Sequence, residues 1–181
     1  MSLISFTQIS DGSTAAATQV NTPLSTIYND YNGNITDANI ASGAAIAQTK
    51  IALKLAGALT ANVATSESTT SATFTDLATP GPAVTVTIGS SGMALVIVSA
   101  DLVNNTASDY AAMGFAVSGA STVAAASGNT LYNRNASNLQ ASYAILVTGL
   151  TAGSNTFTAK YERVVGGTAT FANRVITVIP L

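Results

Sequence analysis

Oxygen-bearing side chains are the residues of this sequence with the clearest capacity for chemistry. They alternate along one short segment: Asp30, Asn32, Asn34 and Asp37. A calcium loop spaces its ligands in this way, but it needs a glycine at its sixth position and a bidentate Glu at its twelfth. Here Gly33 stands at the fourth position and Ala41 at the twelfth. We therefore predict an Asx-rich turn at this segment, with no metal site.

Two carboxylates, Asp101 and Asp109, flank one loop and are the best candidates for an acid–base pair. Glycoside hydrolysis needs two such groups about 5–10 Å apart. Aspartates at strand ends more often form turns, and the chain has no Trp to serve as a sugar platform. It also has no His and no Cys, which excludes Ser–His and thiol catalysis and His- or Cys-ligated zinc. We predict no catalytic residue, no cofactor and no enzymatic activity.

The composition favours assembly over catalysis. Charged residues make up 8% of the 181 residues and the formal net charge is −2, against about 25% charged residues in ordinary soluble domains. Hydrophobic residues reach 48% although aromatic ones are only 6%. A chain with so little charge has little self-repulsion to keep its copies apart. We expect much of its surface to be buried between subunits.

Other partners and compartments are not supported by the sequence. Lys50 and Lys54 do not make a basic patch, so we expect no nucleic-acid binding. They also interrupt the longest apolar stretch, residues 44–64, which argues against a membrane span. The first eight residues lack the basic and apolar regions of a signal peptide. We expect synthesis in the cytoplasm.

Residues 1–65 are predicted to form an extended N-terminal arm with one short helix. Asn21 and Thr22 precede Pro23, which suits the first helical turn. An apolar helical stripe then follows at Leu24, Ile27, Tyr28 and Tyr31. Two interpretations stay open: the stripe packs on the chain's own β-domain, or it meets symmetry-related copies.

Beyond the helix, large aliphatic residues recur every five or six positions, at Ile35, Ile40, Ile46 and Ile51. This spacing fits an extended chain laid in a groove, or three chains wound about one axis. We predict that these isoleucines, together with Leu24, Ile27 and Tyr28, make the anchoring and assembly contacts.

Residues 66–181 carry the periodicity of β-strands. Val84, Val86 and Ile88 alternate with threonines. Residues 93–98 are apolar on both faces, which predicts a central strand covered on both sides. In the segment 155–164, Lys160 and Glu162 share one face and are predicted to pair weakly. Six to nine such segments predict a mainly β domain, an antiparallel β-sandwich or jelly roll.

The segment 28–51 resembles a pattern, N-G-x-I-T-x-x-N-I-x-x-G-x-x-I-x-x-x-K-I, found near the start of tailed-bacteriophage virion proteins. The C-terminal half resembles their β-sandwich domains, in Val117–Ala120, Thr148–Gly153 and Phe171–Arg174. Such proteins are head decorations, head fibres, tail fibres or minor tail proteins, and they are commonly trimers.

The resemblance implies a non-enzymatic virion protein. We expect a homotrimeric capsid decoration or head-fibre protein, attached through its N-terminal arm to the major capsid protein or another virion structural protein. The alternative is a tail fibre or minor tail protein whose β-domain binds a receptor or a host-surface glycan. Its recognition loops would be 102–109 and 128–138.

Overall fold

The computed structural model describes residues 10, 12–14, 16–31 and 59–181. Backbone contacts divide the chain into two units, Met1–Leu53 and Lys54–Leu181. Four of the predicted anchor residues, Ile35, Ile40, Ile46 and Ile51, lie outside the described residues, and so does most of the oxygen-rich segment. Their predicted roles stay predictions.

The described part of the first unit contains the helix α1 (Ala17–Tyr31), with Pro23 inside it. The predicted start near Pro23 is therefore wrong. The helix begins earlier because the Gln19 side chain accepts a 2.8 Å hydrogen bond from the Ala16 N–H, which caps the first turn. The hydroxyls of Ser25 and Thr26 bond the carbonyls one turn before them. The predicted end at Asn32 and Gly33 lies outside the described residues.

Within residues 59–181 the second unit contains nine strands: β1 (Leu59–Val63), β2 (Glu67–Thr69), β3 (Ala83–Ile88), β4 (Ala94–Asn104), β5 (Tyr110–Gly119), β6 (Leu131–Asn133), β7 (Leu139–Val147), β8 (Gly153–Val164) and β9 (Ala169–Pro180).

All the strand pairings are antiparallel, and they form two sheets. One sheet has the order β1-β9-β4-β7, with β2 also pairing with β9, and the other has the order β3-β8-β5-β6. If the short β2 is left aside, each sheet has four strands, and the strand orders of the two sheets are those of a jelly roll. The predicted fold class is confirmed. Because β1 pairs with β9, the sandwich includes residues 59–63, which the prediction placed in the N-terminal arm.

The core lies between the two sheets. Val84, Val86 and Ile88 of β3 are buried while the threonines between them are exposed, as the alternation predicted. The prediction for residues 93–98 is wrong in one respect. The strand is central, but only Ala94, Val96 and Val98 are fully buried, whereas its other face is half-buried. The opposite sheet covers only one side of a sandwich strand.

Three buried asparagines hold the loops at the ends of the sandwich. Asn104 donates to the carbonyls of Tyr110 and Gly166 at 3.1 and 3.0 Å. Asn155 accepts a 2.8 Å hydrogen bond from the Ser121 N–H and donates to the Thr151 carbonyl. Asn133 likewise donates to the Ser137 carbonyl and accepts from the Asn135 N–H in the loop after β6. These amides satisfy loop backbone groups that burial would otherwise leave without partners.

Candidate functional site

The helix α1 carries an exposed row of large apolar side chains. The exposed fractions are 42% for Val20, 56% for Leu24, 38% for Ile27 and 68% for Tyr28. A 15-residue helix is only marginally stable in water without packing of its apolar face. The row is therefore a surface that a partner would stabilise.

The spacing of this row fits a helical assembly. Val20, Leu24 and Ile27 are separated by four and then three residues, which places them at the d, a and d positions of a heptad. Leu at a with Ile at d favours three- or four-stranded coiled coils over dimers. The sequence prediction omitted Val20 because it placed the helix start at Pro23.

The sandwich has a pocket on the outer face of the sheet that contains β5, β6 and β8. Its volume is about 170 Å³. Six residues line it: Tyr110, Ser127, Tyr132, Arg134, Glu162 and Val164. Two aromatic rings, one cationic and one anionic side chain therefore face a single cavity.

The register of three strands brings the pocket residues together. Ala112 of β5 pairs with Tyr132 of β6 on one side and with Glu162 of β8 on the other. Tyr110 and Val164 form the next pair on the same face. Directly paired residues of neighbouring strands stand side by side. The single methyl group of Ala112 thus leaves a depression between two larger side chains.

Arg134 enters the pocket from the loop after β6. Its guanidinium carbon lies 4.6 Å from the ring centre of Tyr110 and 5.7 Å from that of Tyr132, in the range of cation–π contacts. Asn133 holds this loop in place, because its buried amide donates to the carbonyls of Leu102 and Ser137 at 2.7 Å each. The Arg134 side chain itself remains exposed to solvent.

Glu162 faces the same pocket without a cation of its own. Its predicted partner, Lys160, instead pairs with Asp76 at 2.8 Å. Partial burial raises the pKa of the Glu162 carboxyl above its ordinary value. Within residues 59–181, neither Glu162 nor Arg134 forms a salt bridge. Both charges are available to a ligand.

A buried ion pair ties the start of the sandwich to β9. Between β4 and β9 the register shifts where Ser99 and Asp101 oppose Val175 and Ala172, so β9 has one extra residue there. This bulge turns the Arg174 side chain into the core, where it is 0% exposed. Its Nη2 lies 3.1 Å from the Glu67 carboxylate.

The Glu67 carboxylate is held by a network of donors. The hydroxyl and the N–H of Thr79 both donate to it, at 2.6 Å and 3.1 Å respectively. These bonds, followed by the charge of Arg174, hold the pKa of Glu67 below its ordinary value near 4.5. Arg174 also lies over the ring of Tyr161, at 5.3 Å from the ring centre. The arrangement is structural and secures residues 65–79.

The lowered pKa of Glu67 predicts a specific loss of stability in acid. A carboxyl whose pKa is lower in the folded state contributes stability above its unfolded pKa, near 4.5, and loses it as the pH falls through the folded value. Glu162 affects stability in the opposite direction. Because its pKa is raised in the folded state, its contribution to the free energy of unfolding falls as the pH rises. We expect urea midpoints measured between about pH 3 and 6 to decline more steeply in acid for the wild type than for Glu67→Gln. Parallel curves for the two proteins would contradict this assignment.

In the structure, Asp101 and Asp109 each contact a different part of the backbone or a different side chain. Asp101 accepts a 2.7 Å hydrogen bond from the amide of Asn173 at the β9 bulge. Asp109 is 8% exposed and lies against the turn at Gly166. Among the described residues no cluster of three acidic groups could hold a metal ion. In the same part of the chain, no helix is long and apolar enough to cross a membrane.

Comparisons with known proteins assign no family to this chain. No protein-family model matches the chain, and no curated protein matches it. Among solved structures it is similar to the CBM22-1 xylan-binding domain of Xyn10C from Paenibacillus barcinonensis, at 15% identity and a TM-score of 0.32. The similarity covers 70% of this chain and 84% of that domain.

Proposed function

We propose that this chain is a non-enzymatic structural protein of a tailed-phage virion, of the capsid decoration or head-fibre type. In this proposal α1 joins three copies, the N-terminal segment attaches the trimer to the major capsid protein or another virion protein, and the β-sandwich projects outward. The segment 28–51 supports the virion assignment through its resemblance to such proteins.

One observation carries the assembly role: the exposed apolar row on α1. Val20, Leu24 and Ile27 expose between 38% and 56% of their surface, and their heptad positions favour an assembly of three or four helices over a dimer. About half of each side chain is already covered, so burying the rest in a subunit contact contributes about 1 kcal/mol per residue. The low charge of the chain leaves little repulsion to oppose such contacts.

Immunogold labelling of purified particles tests this function. An antibody against the sandwich is expected to label the head, since a decoration or head fibre covers the capsid. Label confined to the tail tip would replace this proposal by the tail-protein alternative. Particles without label, from cells that make the chain, would contradict both.

The second candidate function is a tail module that binds a host-surface glycan. The pocket between β5, β6 and β8 favours it, because two tyrosines and a pair of opposite charges face one cavity. Of the predicted recognition loops, the 128–138 loop contributes Tyr132 and Arg134 to this pocket, whereas the 102–109 loop does not line it.

A further inference from the structure

We propose that the pocket formed by Tyr110, Ser127, Tyr132, Arg134, Glu162 and Val164 binds one pyranose ring of a neutral glycan. The inference deepens the second candidate function. It does not depend on whether α1 forms trimers, since all six residues belong to the sandwich.

The size of the pocket selects a single ring. The volume of the pocket is about 170 Å³. Ordinary small-molecule sites are larger, at about 300–1,000 Å³. A single six-membered ring fits a space of this order, whereas an oligosaccharide would have to extend out of it across the surface. The site therefore recognises one residue of a longer chain.

The charges select a ligand that is neutral and rich in hydroxyl groups. The Arg134 guanidinium only donates hydrogen bonds, and the Glu162 carboxylate only accepts them. An anion would be repelled by Glu162, and a cation by Arg134. Adjacent hydroxyls of a sugar accept from the arginine and donate to the glutamate at the same time. The Ser127 hydroxyl adds one group that can do either.

The aromatic residues select a ligand with an apolar face. Arg134 lies closer to the ring centre of Tyr110, at 4.6 Å, than to that of Tyr132, at 5.7 Å. Because Tyr132 is also 44% exposed, a ligand can cover the uncovered part of its ring. The face of an aromatic ring is electron-rich and attracts the partial positive charge of C–H groups. One face of a pyranose ring presents such C–H groups while its hydroxyls project sideways. The sugar would lie on Tyr132 with its hydroxyls toward Arg134 and Glu162.

The site is suited to binding without cleavage. Glycoside hydrolysis requires two carboxyl groups on either side of the bond, and Glu162 is the single acidic residue among the six that line the pocket. Arg134 cannot act as a base at neutral pH because its guanidinium stays protonated.

Saturation-transfer NMR of the full-length chain tests the proposal. The probes are the methyl glycosides of glucose, galactose, mannose and N-acetylglucosamine, with methyl glucuronide as the anionic comparison. We expect at least one neutral glycoside to bind with a dissociation constant in about the millimolar range, since one ring buries little surface. Tyr132→Ala is expected to weaken this binding by about tenfold. Tyr143→Ala is the matched control, because Tyr143 is similarly exposed, at 38%, but lies on β7.

Glu162→Gln distinguishes specific recognition of the sugar from non-specific binding. It keeps the shape of the side chain and leaves Arg134 without an opposing charge, so the variant is expected to gain affinity for methyl glucuronide relative to the neutral glycosides. Binding of no neutral glycoside by the wild type would overturn the proposal. So would equal losses in Tyr132→Ala and Tyr143→Ala. Label on the head or the tail of the particle would leave these results unchanged.

Discussion

The double variant Leu24→Asp, Ile27→Asp is expected to be a monomer under conditions in which the wild-type chain is a trimer. Light scattering coupled to size-exclusion chromatography should give about three times the chain mass of 18.1 kDa for the wild type and a single chain mass for the variant. The two side chains occupy adjacent a and d positions, where side chains from all three helices meet. Replacing them brings six carboxylates to one apolar seam, where their burial without partners is strongly unfavourable.

The other face of α1 offers a matched control. Thr22→Asp with Ser25→Asp adds the same two charges at the same spacing, at positions that are exposed and lie away from the apolar row. This variant is expected to remain a trimer. A trimer in the Leu24 and Ile27 variant, or dissociation of both variants alike, would show that the row does not hold the copies together.

Arg174→Ala is expected to lower the free energy of unfolding of the sandwich by about 2–5 kcal/mol, mainly because it empties a fully buried site. The side chain is the largest that is fully buried, and it is paired with Glu67. Its loss leaves the carboxylate without its charged partner and opens a cavity beside Tyr161. Urea denaturation followed by near-ultraviolet circular dichroism of the tyrosines measures the change, at one protein concentration for all variants.

Two further variants separate the causes of this loss. Lys160→Ala breaks the exposed pair with Asp76 and is expected to cost at most about 1 kcal/mol. Arg174→Met fills most of the cavity but removes the charge. Its loss of stability should therefore lie between those of Arg174→Ala and Lys160→Ala. An Arg174→Ala variant as stable as Lys160→Ala would contradict a structural role for the ion pair.

The strands of the sandwich were predictable because their signals are local. Val84, Val86 and Ile88 alternate with threonine, and the alternation of Phe157 and Tyr161 with Lys160 and Glu162 marks the two faces of β8. By contrast, the prediction that residues 93–98 are buried on both faces was wrong. Apolar composition on both faces does not show which face the second sheet covers, and the outer face of β4 is only half-buried.

The helix was predicted in place and type, but not at its start. Pro23 suggested the first turn, whereas the hydrogen bond from the Ala16 N–H to the Gln19 side chain begins the helix before it. A helix that starts at Pro23 does not contain Val20, and without Val20 the heptad spacing of the row is incomplete. The Gln three residues after the cap was the signal that could have found the true start.

The pocket and the buried ion pair depend on pairings between distant parts of the chain. Tyr132, Ala112 and Glu162 lie next to one another only because β5 pairs with both β6 and β8 in one register. Arg174 faces inward only because β9 has a bulge. A single sequence contains no direct signal for register or for a bulge, so these residues could not be assigned before the structure.

Assembly and recognition are separate in this account. The apolar row lies on α1 in the first unit, and the pocket lies wholly within the sandwich. A jelly roll is compatible with either role, because a fold does not determine function. The two sets of variants should therefore act independently: helix variants on mass, and pocket variants on sugar binding.

Cryo-electron microscopy of purified particles tests the central claim most directly. A reconstruction is expected to show three copies of this chain around a local three-fold axis on the virion, with the α1 helices together at that axis and the sandwiches facing outward. Single copies without a helical contact, or particles that lack the chain altogether, would contradict the claim.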